Sequence, residues 1–300
     1  MELVLPTPDS YVVAVSGGVD SMALLDMLHQ ESLQNRNWKL VVAHLDHGIR
    51  SDSEEDLRLV ESVARGHGLP FVAHSVSLGA GASEASARKA RYDFLNSVVV
   101  ASGAQGVITA HHQDDVLETA IINMLRGSGR KGLTSLSSRP DVVRPLLNVP
   151  KSELVEYAMS RNLDWREDST NSDDTYLRNY VRLRLLPRFN EETRAELLGH
   201  INDARYTNAE LDTLLVNQLA SQSYEGDLDR AWFNNLPHAV AREVMASWLR
   251  ANDIAGFDSK GLERLVVAAK VSSPGKSHPV LAGTRMEVFG DHLALARSER

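Results

Sequence analysis

Three stretches of this chain carry side chains whose types and spacing suit chemistry on phosphates. In Ser16-Gly17-Gly18-Val19-Asp20-Ser21, an apolar run ends in two glycines and an apolar helical pattern follows. A strand passing through glycines into a helix is a site for anions. Loop amides and the first helical N–H groups converge there, and the helix dipole favours negative charge. Ser16 and Ser21 add hydroxyl donors, and the glycines allow close backbone approach. Asp20, an anion beside an anion site, makes sense if a divalent cation or an amine lies between it and phosphate.

The second stretch, His111-His112-Gln113-Asp114-Asp115-Val116-Leu117-Glu118, places Asp114 or Asp115 one helical turn from Glu118, so two carboxylates can share a face. They can complement a helix dipole or, near a phosphate loop, hold Mg²⁺ or a cationic substrate. In the third, His44-Leu45-Asp46-His47-Gly48-Ile49-Arg50, the histidine pair lacks the further ligands of a metal centre. Read as part of a nucleotide site, this strand end offers backbone to adenine, and Arg50 reaches phosphate or RNA.

The elements that must position these groups alternate. Residues 11–15, 40–43, 71–74, 107–110 and 142–144 read as strands. Helical patterns fall between them at 21–33, 53–66, 84–101 and 115–125, and another helix begins at Pro150-Lys151-Ser152-Glu153. This predicts βαβ units, a parallel sheet and helices on both faces. All three stretches then share one address, the carboxyl ends of the strands, where such sheets bind ligands. Beyond Pro187, helical spacing at 191–220, 237–251 and 259–270 and a hairpin within 279–296 predict a second domain. The expected domains are 1–188 and 189–300.

Three hundred residues suit two domains, and 43% hydrophobic with 24% charged residues is ordinary for a soluble globular chain. No apolar run approaches the roughly 20 residues of a membrane span, and the N-terminus has no secretory pattern, so a cytoplasmic location is expected. The absence of cysteine excludes disulfides, thiolate metal sites and sulfur relays. Net charge is −8, yet residues 121–190 hold 12 Lys/Arg and 8 Asp/Glu. That local excess reads as a polyanion surface or as solvated arginines. Within it, Arg126-Gly127-Ser128-Gly129-Arg130-Lys131-Gly132 reads as a mobile basic loop, and Arg178 and Arg182 lie at helical spacing. Arg88 and Arg91, with Tyr92 beside them, share a helical face suited to clamping phosphate.

The Ser16–Ser21 loop resembles the PP-loop of ATP pyrophosphatases, which split ATP into AMP and pyrophosphate. With the His44 to Arg50 stretch, Ala87-Arg88…Arg91-Tyr92, His111…Asp114-Asp115…Glu118-Thr119, Arg126-Gly127…Gly129, Arg144-Pro145-Leu146-Leu147, Asp168…Asn171 and Arg178-Asn179…Arg182, the order of motifs resembles that of tRNA(Ile)-lysidine synthetases over about residues 10–190. Ala110 stands where that family would have glycine, and Val116-Leu117 replaces a more polar pair. The resemblance beyond residue 190 is loose, and the further C-terminal domain of longer members is expected to be absent.

The resemblance implies a Rossmann-like α/β PP-loop domain, of the adenine nucleotide alpha hydrolase-like class, followed by a smaller, mostly helical C-terminal domain that binds tRNA. It implies ATP-dependent ligation of lysine to the 2-carbon of the wobble cytidine in tRNA(Ile) with a CAU anticodon. ATP adenylates the base, pyrophosphate leaves, and lysine's amine expels AMP. The tRNA then reads AUA instead of AUG and carries isoleucine identity instead of methionine. By the same resemblance, Ser16, Gly17, Gly18, Val19, Asp20, Ser21, His44 and Arg88 bind ATP, and Asp20 holds Mg²⁺. Asp20, Arg91, His111, Asp115 and Glu118 serve catalysis, with Asp115 and Glu118 receiving lysine. Arg126, Arg130, Lys131, Arg178 and Arg182 contact tRNA. A homodimer is compatible with it.

Three other readings fit worse. Cytidine 2-thiolation ordinarily needs cysteines. A small-molecule PP-loop synthetase, such as an NAD synthetase, leaves the basic segment and the C-terminal domain without a role. A non-catalytic nucleotide or RNA sensor has less need of Asp20, Asp115 and Glu118 beside phosphate.

Overall fold

The computed structural model describes residues 3–46, 53–77, 84–166, 177–224, 226–281 and 283–297. Two compact units emerge, one of Met1–Leu125 with Thr134–Leu198 and one of Arg126–Leu133 with Gly199–Arg300.

The elements run β1 (Ser10–Ala14), α1 (Val19–Gln34), β2 (Lys39–Asp46), α2 (Ser53–Gly66), β3 (Phe71–Ser75), α3 (Glu84–Ser102), β4 (Gly106–Ile108) and α4 (Gln113–Leu125). They continue with α5 (Arg130–Leu133), β5 (Val142–Val143), α6 (Lys151–Ser160), α7 (Leu177–Tyr180) and a π-helical turn at Val181–Leu185. In the first unit, five parallel strands lie in the order β3-β2-β1-β4-β5, as the alternation predicts. β1 is central, and Tyr11, Val12 and Val13 are buried because both faces of the sheet are covered. Val13, Val42 and Ile108 pack with α1, α2 and α6, whereas Val12, Ala43 and Val107 pack with Leu95 and Val98 of α3.

The strand order reverses beside β1. The chain builds outward from β1 to β3, then α3 carries it back to β4 on the other side. That reversal leaves a crevice beyond the ends of β1 and β4. α1 is buried along residues 21–28, with Leu24, Leu25 and Leu28 fully enclosed. Asp26, also buried, accepts hydrogen bonds from Tyr157 Oη (2.7 Å) and Arg161 Nε (3.1 Å), which fix α6 against α1. Burial and the nearby Asp26 push the Tyr157 phenol up to about 12.

The second unit adds residues 199–222 of α8 (Glu191–Gln222), then β6 (Ser223–Tyr224), β7 (Asp227–Asp229), α9 (Arg230–Asn235), α10 (His238–Ala251), α11 (Ser259–Val271), β8 (Lys276–Pro279), β9 (Thr284–Val288) and β10 (His292–Arg297). The expected hairpin is part of a larger antiparallel sheet, β6-β7-β10-β9-β8. The three added strands, β6, β7 and β8, hold two to four residues each and are too short to show a period of two. Fully buried Phe233 and Trp248 centre the core, and the buried Arg230 donates to Ala269 O, Phe289 O and Ser272 O. No described helix is long and apolar enough to cross a membrane.

The basic loop differs from its expectation. Arg130 and Lys131 begin the short helix α5 and are tied within the second unit. Arg130 donates to Glu243 Oε2, Asp212 Oδ1 and Asn208 Oδ1, each at 2.8 Å, and Lys131 Nζ lies 2.8 Å from Asp212 Oδ2. Acids far along the chain supply these anchors. Arg126 is exposed.

Candidate active site

The Ser16–Ser21 loop closes on itself. Ser21 Oγ donates to Gly18 O (2.9 Å) and accepts from Ser16 N (3.1 Å), while Gly18 N reaches Ser16 Oγ (3.4 Å). Gly17 has φ +94°, a conformation that disfavours side chains, and its O accepts from Arg166 N at 3.0 Å. No side chain caps the start of α1; the Ser21 and Met22 amides donate to Gly18 O, and no described side chain takes the Val19 and Asp20 amides ahead of them. Arg166 also reaches α2, with Nη1 2.5 Å from Glu55 Oε2 and Nε 2.9 Å from Asp56 Oδ1.

A cavity of about 420 Å³ opens from this loop across the ends of β1, β2 and β4. Ser16, Gly18, Asp20, Ser21, His44, Arg91, His111 and Asp115 all line it, so the structure gathers these sequence-selected residues in one place. Arg182, selected for RNA contact, lines it too, joined by Tyr92, Asp46, Ser53 and Asp56. Gly17, Val19, Arg88 and Glu118 are not on its wall. His47, Gly48, Ile49 and Arg50, and residues 167–176 including Asp168 and Asn171, lie outside the described residues.

One wall is acidic. Asp20 Oδ2 lies 3.5 Å from His112 Nε2 and 3.9 Å from Lys151 Nζ, while Oδ1 is buried without a hydrogen-bond partner. His112 Nε2 is also 3.5 Å from Asp115 Oδ2, and the His112 amide donates to that oxygen at 2.9 Å. Burial pulls the His112 imidazole down, but Asp20, Asp115 and Asp114 outweigh it and leave its pKa raised. Burial pushes Asp115 up, but His112, His111 and Arg182 prevail and hold its carboxyl low.

Glu118 is fully buried and faces cations of its own unit. Arg182 approaches it with Nε at 2.6 Å and Nη2 at 2.9 Å, Arg178 Nε lies 3.5 Å away, and Arg182 Nη2 also reaches Asp115 at 3.3 Å. Burial raises the Glu118 carboxyl, against the pull of Arg182. Arg178 also donates to Thr119 Oγ1 (3.2 Å), and Asp114 pairs with Arg194 at 3.2 Å. Arg178 and Arg182 thus close on the acids of α4. Their helical spacing is visible in the sequence; the partners, about 60 positions away, are not.

Cationic and aromatic side chains also border the cavity. Arg91 and Tyr92 line it, and the Arg88 guanidinium lies 4.8 Å over the Tyr92 ring. Burial lowers the His111 imidazole to about 4; Asp115 opposes this, and Arg144, Arg88 and Arg91 reinforce it. His111 is therefore neutral at pH 7, with Nδ1 2.8 Å from Thr109 Oγ1. The side chain of His44 is used structurally, its Nδ1 2.8 Å from Val15 O.

No group of three or more acidic or histidine side chains with metal-site geometry occurs among the described residues. The orphaned Asp20 Oδ1 still suits Mg²⁺, which commonly takes one or two carboxylates and completes its shell with phosphate and water.

The sequence profile of the PP-loop domain family matches residues 3–189. The chain is 42% identical to a tRNA(Ile)-lysidine synthase of Geobacter sulfurreducens over 189 residues, covering 60% of this chain and 40% of that one. It is 33% identical to a tRNA(Ile)-lysidine synthase of Gloeobacter violaceus over 303 residues, covering 97% and 92%. It spans 60% of a further relative, from Solibacter usitatus, so several relatives are longer. A U34-tRNA thiolase of Methanococcus maripaludis shares the fold, with TM-score 0.55 and 16% identity over 67% of this chain and 73% of that one. With the profile covering most of its length and the Gloeobacter relative matched nearly end to end, this chain belongs to the tRNA(Ile)-lysidine synthase family of PP-loop proteins.

Proposed function

We propose that the protein joins lysine to the 2-carbon of the wobble cytidine in tRNA(Ile) with a CAU anticodon, converting ATP to AMP and pyrophosphate. The carrying observation is the convergence of the uncapped PP-loop, the orphaned Asp20 oxygen and Asp115 on one cavity. A phosphate cradle beside a carboxylate wall can activate an oxygen with ATP and then receive a cationic nucleophile.

In this reading, the Ser16–Ser21 loop holds the phosphates and Arg91 neutralises their charge. Asp20 would hold Mg²⁺, which when bound screens the phosphate oxygens. The cytidine must leave its stack to bring O2 to the α-phosphate. Asp115 receives an ammonium of lysine, and neutral His111, held by Thr109, helps position the reacting groups. Glu118, matched by Arg182 and Arg178, sets the position of α4 and so of Asp115. Arg126 and the C-terminal unit contact the tRNA, in a cytoplasmic setting. The test is nucleotide analysis after incubation with ATP, lysine and tRNA. AMP and pyrophosphate are expected; ADP and orthophosphate would defeat the reading.

A further inference from the structure

Arg144 is 4% exposed, and no carboxylate pairs with it among the described residues. Its guanidinium donates to Ser137 O through Nη1 and to Tyr92 Oη through Nη2 at 3.2 Å, while its buried Nε has no partner. Glu118 is equally deep but has Arg182 and Arg178 against it. A buried cation without a counter-anion is costly, so the missing negative charge is one that a ligand can bring.

Tyr92 connects this cation to the cavity. Its oxygen already accepts from Arg144, and no described residue accepts its own hydrogen. Tyr92 is among the residues lining the cavity, next to the ligand space its unpaired hydrogen could serve. Arg88 over the ring and Arg144 at the oxygen both withdraw electron density, strengthening the O–H as a donor.

We infer that Tyr92 donates its phenolic hydrogen to an oxyanion of a bound substrate, and that Arg144 acts through Tyr92 as its positioning residue. This rests on the proposed lysine ligation, in which two oxyanions enter the cavity: the α-phosphate of ATP and the carboxylate of lysine.

Tyr92→Phe removes one oxygen and keeps the ring beneath Arg88. Its binding would be compared with wild type for ATP against adenosine, and for lysine against 1,5-diaminopentane, with tRNA present. The two half-reactions would be followed as pyrophosphate release without lysine and as lysine transfer. A tenfold or greater loss for ATP and adenylation, with adenosine unchanged, assigns the hydrogen to phosphate. A similar loss for lysine, with the diamine unchanged, assigns it to the carboxylate. Changes below twofold in both binding pairs and both half-reactions overturn the inference. Arg144→Lys should reproduce the selective loss, and Tyr92→Phe with Arg144→Lys should be no worse than either alone. Fully additive losses would remove Arg144 from the account. Failure of wild type to transfer lysine would count against the proposed reaction, while the ATP pair would still decide the role of Tyr92.

Discussion

Arg182 clasps Glu118 at two points, with Nε 2.6 Å from Oε1 and Nη2 2.9 Å from Oε2. The acid is fully buried, so the clasp matches a charge that water cannot reach. Removing one partner of such a pair ordinarily costs about 3–5 kcal/mol, much more than removing both. Arg182→Met should therefore lower unfolding free energy at pH 7 on that scale, and adding Glu118→Leu should recover much of it. Equal losses in the single and double variants, measured by denaturant titration, would show the pair to be energetically idle.

In the proposed reaction, the clasp divides the two carboxylates by task. Asp115 faces the cavity, whereas Glu118 is spent on Arg182. A charge-assisted contact is worth about 1.5–3 kcal/mol, so Asp115→Asn should raise the KM for lysine roughly ten- to a hundredfold. Pyrophosphate release without lysine should persist. Its loss in that variant would move Asp115 to the ATP side of the mechanism.

Asp20 can be tested through magnesium. Asp20→Asn removes a carboxylate charge whose Oδ1 has no hydrogen-bond partner and whose Oδ2 lies near His112 and Lys151, while keeping the side chain's shape. Adenylation should fall about a hundredfold or more, by analogy with losing one electrostatic stabiliser of a transition state. Half-saturation should shift to higher Mg²⁺. An unaltered Mg²⁺ dependence would exclude Asp20 as a ligand.

His111 gives a pH signature. Its pKa is about 4 when folded and 6.5 by reference. Between those values the unfolded chain binds a proton that the folded chain does not, so this group's contribution rises with pH across that window. It is fully present above 6.5 and lost as pH falls towards 4. His111→Asn should flatten the loss of stability on acidification. An unchanged pH profile would contradict the neutral imidazole.

Much of this site is legible in the sequence, for reasons that also mark where legibility stops. The Ser16–Ser21 loop and the acids of α4 announce themselves because strand, glycine and helix signals are local. Their meeting follows from the parallel sheet, whose strand ends share one edge. Tertiary pairing is hidden. Arg182 reads as a surface base until Glu118 is found 64 positions earlier, and Arg130 reads as part of a mobile loop until Asn208, Asp212 and Glu243 close on it. Asp56 carries no motif of its own and enters the cavity wall only because α2 packs beside Gly17.

The decisive measurement is transfer of radiolabelled lysine to bulk tRNA by the purified protein with ATP and Mg²⁺, with the label then located by nuclease mapping. The account predicts one lysine per acceptor at the wobble cytidine of the CAU-anticodon tRNA(Ile), with AMP and pyrophosphate formed in equal amounts. ATP cleavage to AMP without label in that nucleotide, or label at another position, would contradict it.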